Sequence, residues 1–327
     1  MNNYIEIKKQ ILDKIKAYDT IMIHRHVRPD GDCIGSSFGL RDILRTSFPE
    51  KKVYSVKGND QADYLDFLGS EDEVNEEEYE NALVIVVDTS TGDRISGENY
   101  KLGKEIIKID HHIETDPYGN INYVREDYPS TTLLIMDFFK TFENELKMTK
   151  EGAKALYVGT ITDTGRFRYS SVDGNSLRLA GDILDYGIDT EELFVNLYVR
   201  EKNILKLQGY VLRHFKTTKN GVSYIYISKR LRNRFKVAHS DASSLVSALD
   251  NIKGSLIWIL FIEAGEGIRV RLRSRYLSIV EVAQKFNGGG HAQASGASVR
   301  NKKEMKKLIY EADKLLESFK AQEGDKV

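Results

Sequence analysis

The sequence predicts an α/β protein, with a mostly parallel N-terminal sheet flanked by helices and a smaller C-terminal α+β domain. Three observations lead there. Short β-branched runs alternate with helical patterns from residue 20 to about 165, the order in which parallel strands and crossover helices follow one another. That texture changes after about residue 190. Finally, 327 residues exceed what one ordinary core organises.

The opening stretch, MNNYIEIKKQILDKIKAYDT, is an amphipathic helix pattern without the continuous apolar run or small-residue cleavage site of a leader peptide. TIMIHRH, KKVYSV, ALVIVVDTS and EIIKIDHH read as strands, each followed by polar or glycine-containing turns. IGSSFGLRDILRTSF, STTLLIMDFFKTF and TKEGAKALYVGTI carry apolar residues at helical spacing. TEELFVNLYVREKNILKLQGYVLRHF has neither glycine nor proline before Gly209 and reads as one long helix, a rigid connector. The domain boundaries are therefore set at 1–189, 190–215 and 216–327. In the last segment GVSYIYIS and SLIWILFIEAGEGIRVRLRSR are strands, the second folding back at EAGEG. A helix SIVEVAQKF, the glycine-rich NGGGHAQASGAS and an amphipathic helix around Leu308, Leu315 and Phe319 complete it.

Lysine and arginine number 48 against 49 acidic residues, a formal charge of −1. This balance excludes the global basic field of a protein that coats long nucleic acids, so long duplex nucleic acid is not an expected partner. Any anionic ligand must meet a local patch. A hydrophobic content of 41% beside 30% charged residues reads as folded and soluble rather than disordered. One cysteine excludes an internal disulfide framework and a thiolate zinc cage. No apolar stretch reaches spanning length, so no membrane is expected as a partner and the cytoplasm is the expected compartment.

In a parallel sheet, ligands gather at the carboxyl ends of strands, where loops and helix N-termini converge. His26, Asp30 and Asp32 follow the first strand run, Asp88 closes ALVIVVD, and Asp110, His111 and His112 close EIIKIDHH. Asp163, in YVGTITDTGRF, follows a helical segment that can return to the same edge. Any one of these aspartates alone reads as a helix cap or turn residue. Together, acids and imidazoles delivered to one edge by four segments would repel strongly unless cations neutralise them. Imidazole with carboxylate and no thiolate suits manganese, magnesium, iron or zinc, and the carboxylate excess leans to the harder ions. The set exceeds what one ion usually takes from a protein, whereas two ions about 3.5–4 Å apart, bridged by one carboxylate, use all of it.

HVRPDGD, VVD, the triplet DHH, TDTG and the downstream GGGH, in this order, resemble the DHH phosphoesterase superfamily with its associated C-terminal domain. Length, motif order and the pairing of RVRLRSR with GGGHAQASGAS are similar to its bacterial nanoRNase branch. The resemblance covers nearly the whole chain. It implies that 1–189 is a DHH catalytic domain of a metal-dependent phosphoesterase that hydrolyses short RNA oligonucleotides to mononucleotides and dephosphorylates pAp to AMP. Two divalent ions are implied, manganese foremost. By the same resemblance His26, Asp30 and Asp88 hold one ion, and Asp32, Asp88, His111 and Asp163 the other, with Asp88 bridging. His112, near the scissile phosphate, joins Asp88 as a catalytic residue, and Asp110 orients the loop. His24 reads as a structural histidine and Cys33 as a small buried filler.

Arg269, Arg271, Arg273 and Arg275 alternate in GIRVRLRSR, so they share one face of a strand where guanidinium groups can clamp phosphate. Gly288, Gly289 and Gly290 let the backbone approach an anion, and with Ser274 and His291 the row reads as a terminal-phosphate pocket. A clamp on one domain and metals on the other make the active-site cleft between them a ruler for short RNA oligonucleotides, linear dinucleotides and pAp. Phe167, Tyr169 and Trp258 read as core aromatics before base-stacking ones. The alternative among phosphoesterases is a cyclic or linear dinucleotide phosphodiesterase of the c-di-AMP/pApA type. From another class comes a noncatalytic nucleotide sensor, which the filled set of ligand positions disfavours. A homodimer is open, with no motif demanding it.

Overall fold

A computed structural model describes residues 4–265 and 267–323, apart from the side chains of His291 and Glu323. The chain divides into two compact units, Met1–Val199 and Arg200–Val327.

In the first unit α1 (Tyr4–Ala17) precedes β1 (Thr20–His24), α2 (Gly31–Ser47), β2 (Lys52–Ser55), β3 (Leu83–Val87), β4 (Glu105–Asp110) and β5 (Ile121–Val124). Four helices follow: α3 (Thr131–Thr141), α4 (Lys150–Asp163), α5 (Gly174–Leu184) and α6 (Thr190–Tyr198). The strands pair in the order β2-β1-β3-β4-β5, every pair parallel. β3, LVIVV, is buried along its length, as a strand covered on both faces must be. Its alternation sorts the core. Leu83, Ile85 and Val87 join Ile21, Ile23 and Ile107 beneath the helices, whereas Val84 and Val86 join Met22, Tyr79 and Ile95 beneath irregular chain. Each fully buried aliphatic side chain of this kind contributes roughly 1.5–3 kcal/mol.

β1 lies between β2 and β3, so successive connections leave it toward opposite sides and a crevice opens at the carboxyl ends of β1 and β3. α2 and α4 meet closely above it because both carry glycines at the crossing. A Cβ on Gly35 would stand 2.5 Å from the Ala155 carbonyl oxygen, and one on Gly159 would overlap the Thr132 methyl and stand 3.0 Å from both Asp32 Cα and the Gly31 carbonyl oxygen. This approach lays the start of α2, with Asp32, beside the end of α4, with Asp163.

In the second unit α7 (Lys202–His214) leads to β6 (Lys216–Thr217), β7 (Val222–Ile227), α8 (Lys229–Phe235), α9 (His239–Ser244), β8 (Ile257–Ala264) and β9 (Gly267–Ser274). Then come α10 (Val280–Gln284), β10 (Gly289–His291), β11 (Ala294–Val299) and α11 (Lys302–Glu323). The sheet runs β10-β11-β9-β8-β7-β6, with β7 and β8 parallel and the other neighbours antiparallel. Ile257, Ile259, Phe261, Val270 and Leu272 pack with Leu308, Ala312 and Leu316 of α11. On the opposite face Trp258, Leu260 and Ile262 pack with Leu207 and Val211 of α7 and with Ala242 of α9. The EAGEG turn joins β8 to β9, and its Glu266 lies outside the described residues.

Residues 190–215 are not one rigid helix. They form α6 and α7, which break at Val199–Glu201. Leu193 of α6 is buried in the first unit, and Leu207 and Val211 of α7 in the second. Each helix keeps its own apolar face, so the helical period carries across the break without a glycine or proline to mark it. Among the described residues no helix is long and apolar enough to cross a membrane.

Candidate metal centre

Four segments deliver the centre. Asp30 caps α2, accepting the Cys33 N–H at 3.1 Å. Asp32, in the first turn, is buried and held by the start of α3: Oδ2 accepts the Thr131 N–H at 2.7 Å, and Oδ1 accepts the Thr132 N–H at 3.0 Å and its hydroxyl at 2.8 Å. Two helix N-termini thus converge on these carboxylates, and their positive dipole ends favour the charge. Asp88 follows β3 at φ +51°, a left-handed conformation costly for a residue with a Cβ. Its Oδ1 accepts the Thr131 hydroxyl at 3.1 Å.

The histidines are oriented by carbonyls. His26 Nδ1 lies 2.8 Å from the Val27 carbonyl oxygen, and His111 Nδ1 3.2 Å from that of Tyr128. A carbonyl can only accept, so each Nδ1 is committed as a donor and Nε2 is left for the centre. Nε2 of His26 is 3.4 Å from Asp88 Oδ2 and 3.8 Å from Asp30 Oδ2. Nε2 of His111 is 3.5 Å from Asp88 Oδ1, 3.4 Å from Asp163 Oδ2 and 3.9 Å from Asp32 Oδ2. Donors about 2.1 Å from a shared ion stand roughly 3–3.5 Å apart, so the set fits cations on both sides of Asp88.

Electrostatics point the same way. Burial first, then the charge of Asp32, pushes the carboxyls of Asp88 and Asp163 well above the usual aspartate range. Burial would lower His26, yet hydrogen bonds to Asp30 and Asp88 raise its imidazole above the ordinary histidine value. Carboxylates crowded until they resist ionisation, around imidazoles with committed Nδ1 atoms, are a donor set that a divalent cation would neutralise. Cys33 is buried as read from sequence, its Sγ among ligand atoms of His26 and Asp88 that lie within 4.8 Å of one another. Burial pushes its thiol up to about 11.

His112 belongs to a different arrangement. Its Nδ1 donates to Asp110 Oδ1 at 2.8 Å and stands 3.7 Å from Asp88 Oδ1. Asp110 Oδ2 is 3.5 Å from Nζ of Lys108, and Lys108 donates to the carbonyls of Ser90 at 2.7 Å and Asp116 at 3.1 Å. Both residues are fully buried. Burial would raise the Asp110 carboxyl, but the His112 hydrogen bond and the charges of His112 and Lys108 hold it below the usual range. Asp110 therefore fixes the ring of His112 as well as its loop, a role the sequence did not reveal. His24 stays apart. Its Nε2 is 2.8 Å from the Tyr79 hydroxyl and its Nδ1 3.3 Å from the Ser96 carbonyl, and burial lowers it to about 4.

A family model for the N-terminal domain of the DHH family matches residues 20–160, and one for the DHHA1 domain matches residues 221–318. A bifunctional oligoribonuclease and PAP phosphatase of Bacillus subtilis is 38% identical over 310 residues, covering 94% of this chain and 98% of its own. The chain belongs to the DHH family. A probable bifunctional oligoribonuclease and PAP phosphatase of Streptococcus mutans is 39% identical, with the same two coverages of 94% and 98%. The crystal structure of an exopolyphosphatase-related protein from Bacteroides fragilis superposes with a TM-score of 0.85 at 27% identity, covering 97% of each chain.

In the DHHA1 unit the register brings Gly289 and the backbone of His291 onto the face of Arg271 and Arg273, and places Gly290 on the face of Leu272. Arg271 pairs with Gly296 and Gly296 with Gly289, while Arg273 pairs with Ala294 and Ala294 with His291. Residues directly opposite share a face, so small residues flank the guanidinium groups. Arg269 and Arg271 are exposed, and Arg269 Nη1 donates to the Ser298 hydroxyl at 2.8 Å. Arg275 lies past the end of β9, its Cζ 5.4 Å from the centre of the Trp258 ring. Ser274 is a correction to the sequence reading. Strand alternation turns it to the buried face, where its hydroxyl donates to the Leu277 carbonyl at 2.6 Å. The glycines also divide. Gly290, at φ +136°, leaves no room for a Cβ, which would stand 2.6 Å from the Ala294 carbonyl oxygen, and Gly288 is equally pressed against Gly296 and Ala297. Gly289 has open space beside it. The side chain of His291 lies outside the described residues.

Proposed function

We propose that this DHH protein is a dinuclear-metal phosphoesterase that hydrolyses short RNA oligonucleotides, linear dinucleotides included, to mononucleotides and dephosphorylates pAp to AMP. One observation carries the reading. Asp88 presents its two oxygens to different histidines, Oδ2 at 3.4 Å from His26 and Oδ1 at 3.5 Å from His111. We assign His26, Asp30 and Asp88 to one ion and Asp32, Asp88, His111 and Asp163 to the other, with manganese favoured by the carboxylate-rich donors. The substrates are supported by the Bacillus and Streptococcus relatives, whose names carry both activities and which align over nearly their whole length.

When bound, the ions supply Lewis acidity for the phosphate and for the attacking water. The remaining work falls to the chain. Thr131 and Thr132 immobilise Asp32, and Thr131 also holds Asp88, so the ligands keep their spacing through turnover. Asp110 holds Nδ1 of His112 and leaves Nε2 to donate a proton toward the phosphate or the leaving oxygen, a contribution of about 10²–10⁴ in rate. Arg271, Arg273, Arg275 and Gly289 bind a terminal phosphate.

The test is manganese-supplemented digestion of 5′-labelled RNAs of graded length, with pAp and cyclic dinucleotides in parallel. Mononucleotides should accumulate from the shortest RNAs and AMP from pAp, and Asp88→Ala should abolish both without unfolding the protein. Turnover confined to cyclic dinucleotides would overturn the substrate assignment, and turnover retained by the Asp88 variant would remove the bridging role.

A further inference from the structure

The segment after Asp163 is strained. Gly165, Arg166 and Phe167 lie consecutively in the left-handed region, at φ +56°, +61° and +60°. Glycine adopts this readily, but two bulky residues in succession do so only where their surroundings over-determine it. The reversal sends Phe167 against the first core and leaves Arg166 exposed. Arg166 Cζ stands 4.9 Å above the ring of Tyr198, and Tyr169 folds back over Gly165, where a Cβ would meet ring atoms at 2.5–2.9 Å.

Tyr198 ends α6 and packs tilted against Phe194, the ring centres 5.4 Å apart, and α6 packs on the short turn Asp63–Leu68. That turn presents Tyr64. Tyr64 is 53% exposed and Tyr169 56% exposed, so Tyr169 is not the core residue the sequence suggested. The turn that carries Tyr64 also packs on α2, which begins beside Asp30, and on α4, which ends at Asp163. Two open rings and a guanidinium therefore border the metal centre, on its Asp30 side and on its Asp163 side. Neither the metal ligands nor the core uses them, and exposed aromatic surface of this kind marks a binding face.

We propose that Tyr64, Tyr169 and Arg166, backed by Tyr198, form a nucleobase-stacking surface at the rim of the metal centre, which grips the base of the nucleotide whose phosphate is cleaved. The inference rests on the proposed nucleotide phosphoesterase reading. A 5′-phosphorylated RNA end and pAp share a nucleoside set between a 5′-phosphate and the reacting 3′-phosphate, so one stacking surface beside one centre would serve both. Stacking reads the π-face that every base has, so the surface is tolerant of sequence, and a guanidinium adds its own planar contact.

The experiment measures kcat and KM on a 5′-phosphorylated RNA dinucleotide and on its abasic counterpart, for the wild-type protein, Tyr64→Ala, Tyr64→Phe and Tyr169→Ala. Loss of one stacking ring should raise KM for the base-bearing dinucleotide by about 5- to 150-fold, with kcat little changed. Tyr64→Phe should restore the wild-type KM, and neither alanine variant should change KM for the abasic substrate. Thermal unfolding of each variant separates this from misfolding. An unchanged KM in both alanine variants, an equal rise on the abasic substrate, or failure of Tyr64→Phe to restore binding would overturn the stacking role and leave the phosphoesterase reading intact. A wild-type protein inert on every nucleotide substrate would overturn both.

Discussion

Replacing Gly159 by alanine should loosen the metal centre without replacing a ligand. Two opposing terms act on the substitution. Gly159 is in the interior of α4, where alanine is favoured over glycine by about 0.5–1 kcal/mol. Its Cβ, however, would overlap the Thr132 methyl and press on Gly31 and Asp32 at 3.0 Å, and overpacking of this kind costs about 1–3 kcal/mol. Gly181→Ala in α5 supplies the control, because a Cβ there meets nothing within 4 Å. Propensity nearly cancels between the two variants, so their difference in unfolding free energy isolates the steric term, about 1–3 kcal/mol with Gly159→Ala the less stable. Relief requires α4 to draw back from Thr132 of α3 and from the start of α2, which moves Asp163 away from Asp32. Urea unfolding of both variants, with Mn²⁺ titration calorimetry, measures stability and ligand spacing together. If Gly159→Ala matches Gly181→Ala in stability and the wild type in Mn²⁺ affinity, the close crossing does not set the donor geometry.

Asp110→Asn should lower kcat by about 10²-fold or more, because the ring it orients loses its charged partner, while Mn²⁺ affinity stays at the wild-type value. A matching loss of metal affinity would refute a role exerted through His112. His24, lowered by burial from 6.5 to about 4, stays neutral in the folded protein while the unfolded chain takes up its proton. Its contribution is complete above about pH 6.5 and lost as pH falls toward about 4, about 3 kcal/mol in all. Denaturation at stepped pH should show that slope in the wild type and not in His24→Phe, and identical slopes would refute it. Ser274→Ala should cost about 1 kcal/mol of stability through its lost bond to Leu277 and leave KM unchanged, whereas Arg271→Ala should raise KM for 5′-phosphorylated substrates. The reverse pattern would restore Ser274 to the phosphate face.

What was legible in the sequence follows the range of the forces involved. The converging acids and imidazoles could be read because parallel strands end at one edge and apolar runs such as ALVIVVD announce where they end. β5 escaped because INYV is four residues of mixed polarity at a sheet edge. The break between α6 and α7 escaped because Val199, Arg200 and Glu201 carry no conformational signal. Asp32 looked like a first-turn carboxylate, but its partners at Thr131 and Thr132 are 99 and 100 residues away, beyond what local pattern can pair. Lys108 alternates with isoleucines as a surface lysine would, and only a sheet covered on both faces buries it. Ser274 was grouped with the arginines by proximity in sequence, against the same period-two rule that aligned them.

The backbone treats the four central carboxylates unequally, and that inequality is itself a functional statement. Asp30 and Asp32 stand at the start of α2, with the start of α3 donating to Asp32, so helix dipoles and N–H groups already favour their charge. Burial opposes Asp30, yet His26 and the Cys33 N–H hold its carboxyl below the usual range. Asp163 is the last residue of α4, where the dipole is negative, and Asp88 sits on a strained, left-handed residue between two histidines. These two are the carboxyls raised far above their ordinary values. The fold thus favours the charge of one pair and opposes that of the other. Had the cluster been a set of caps and turns, all four would have been satisfied by the chain. The two raised carboxyls, Asp88 and Asp163, flank His111 at 3.5 and 3.4 Å, where a divalent cation would relieve the repulsion between them.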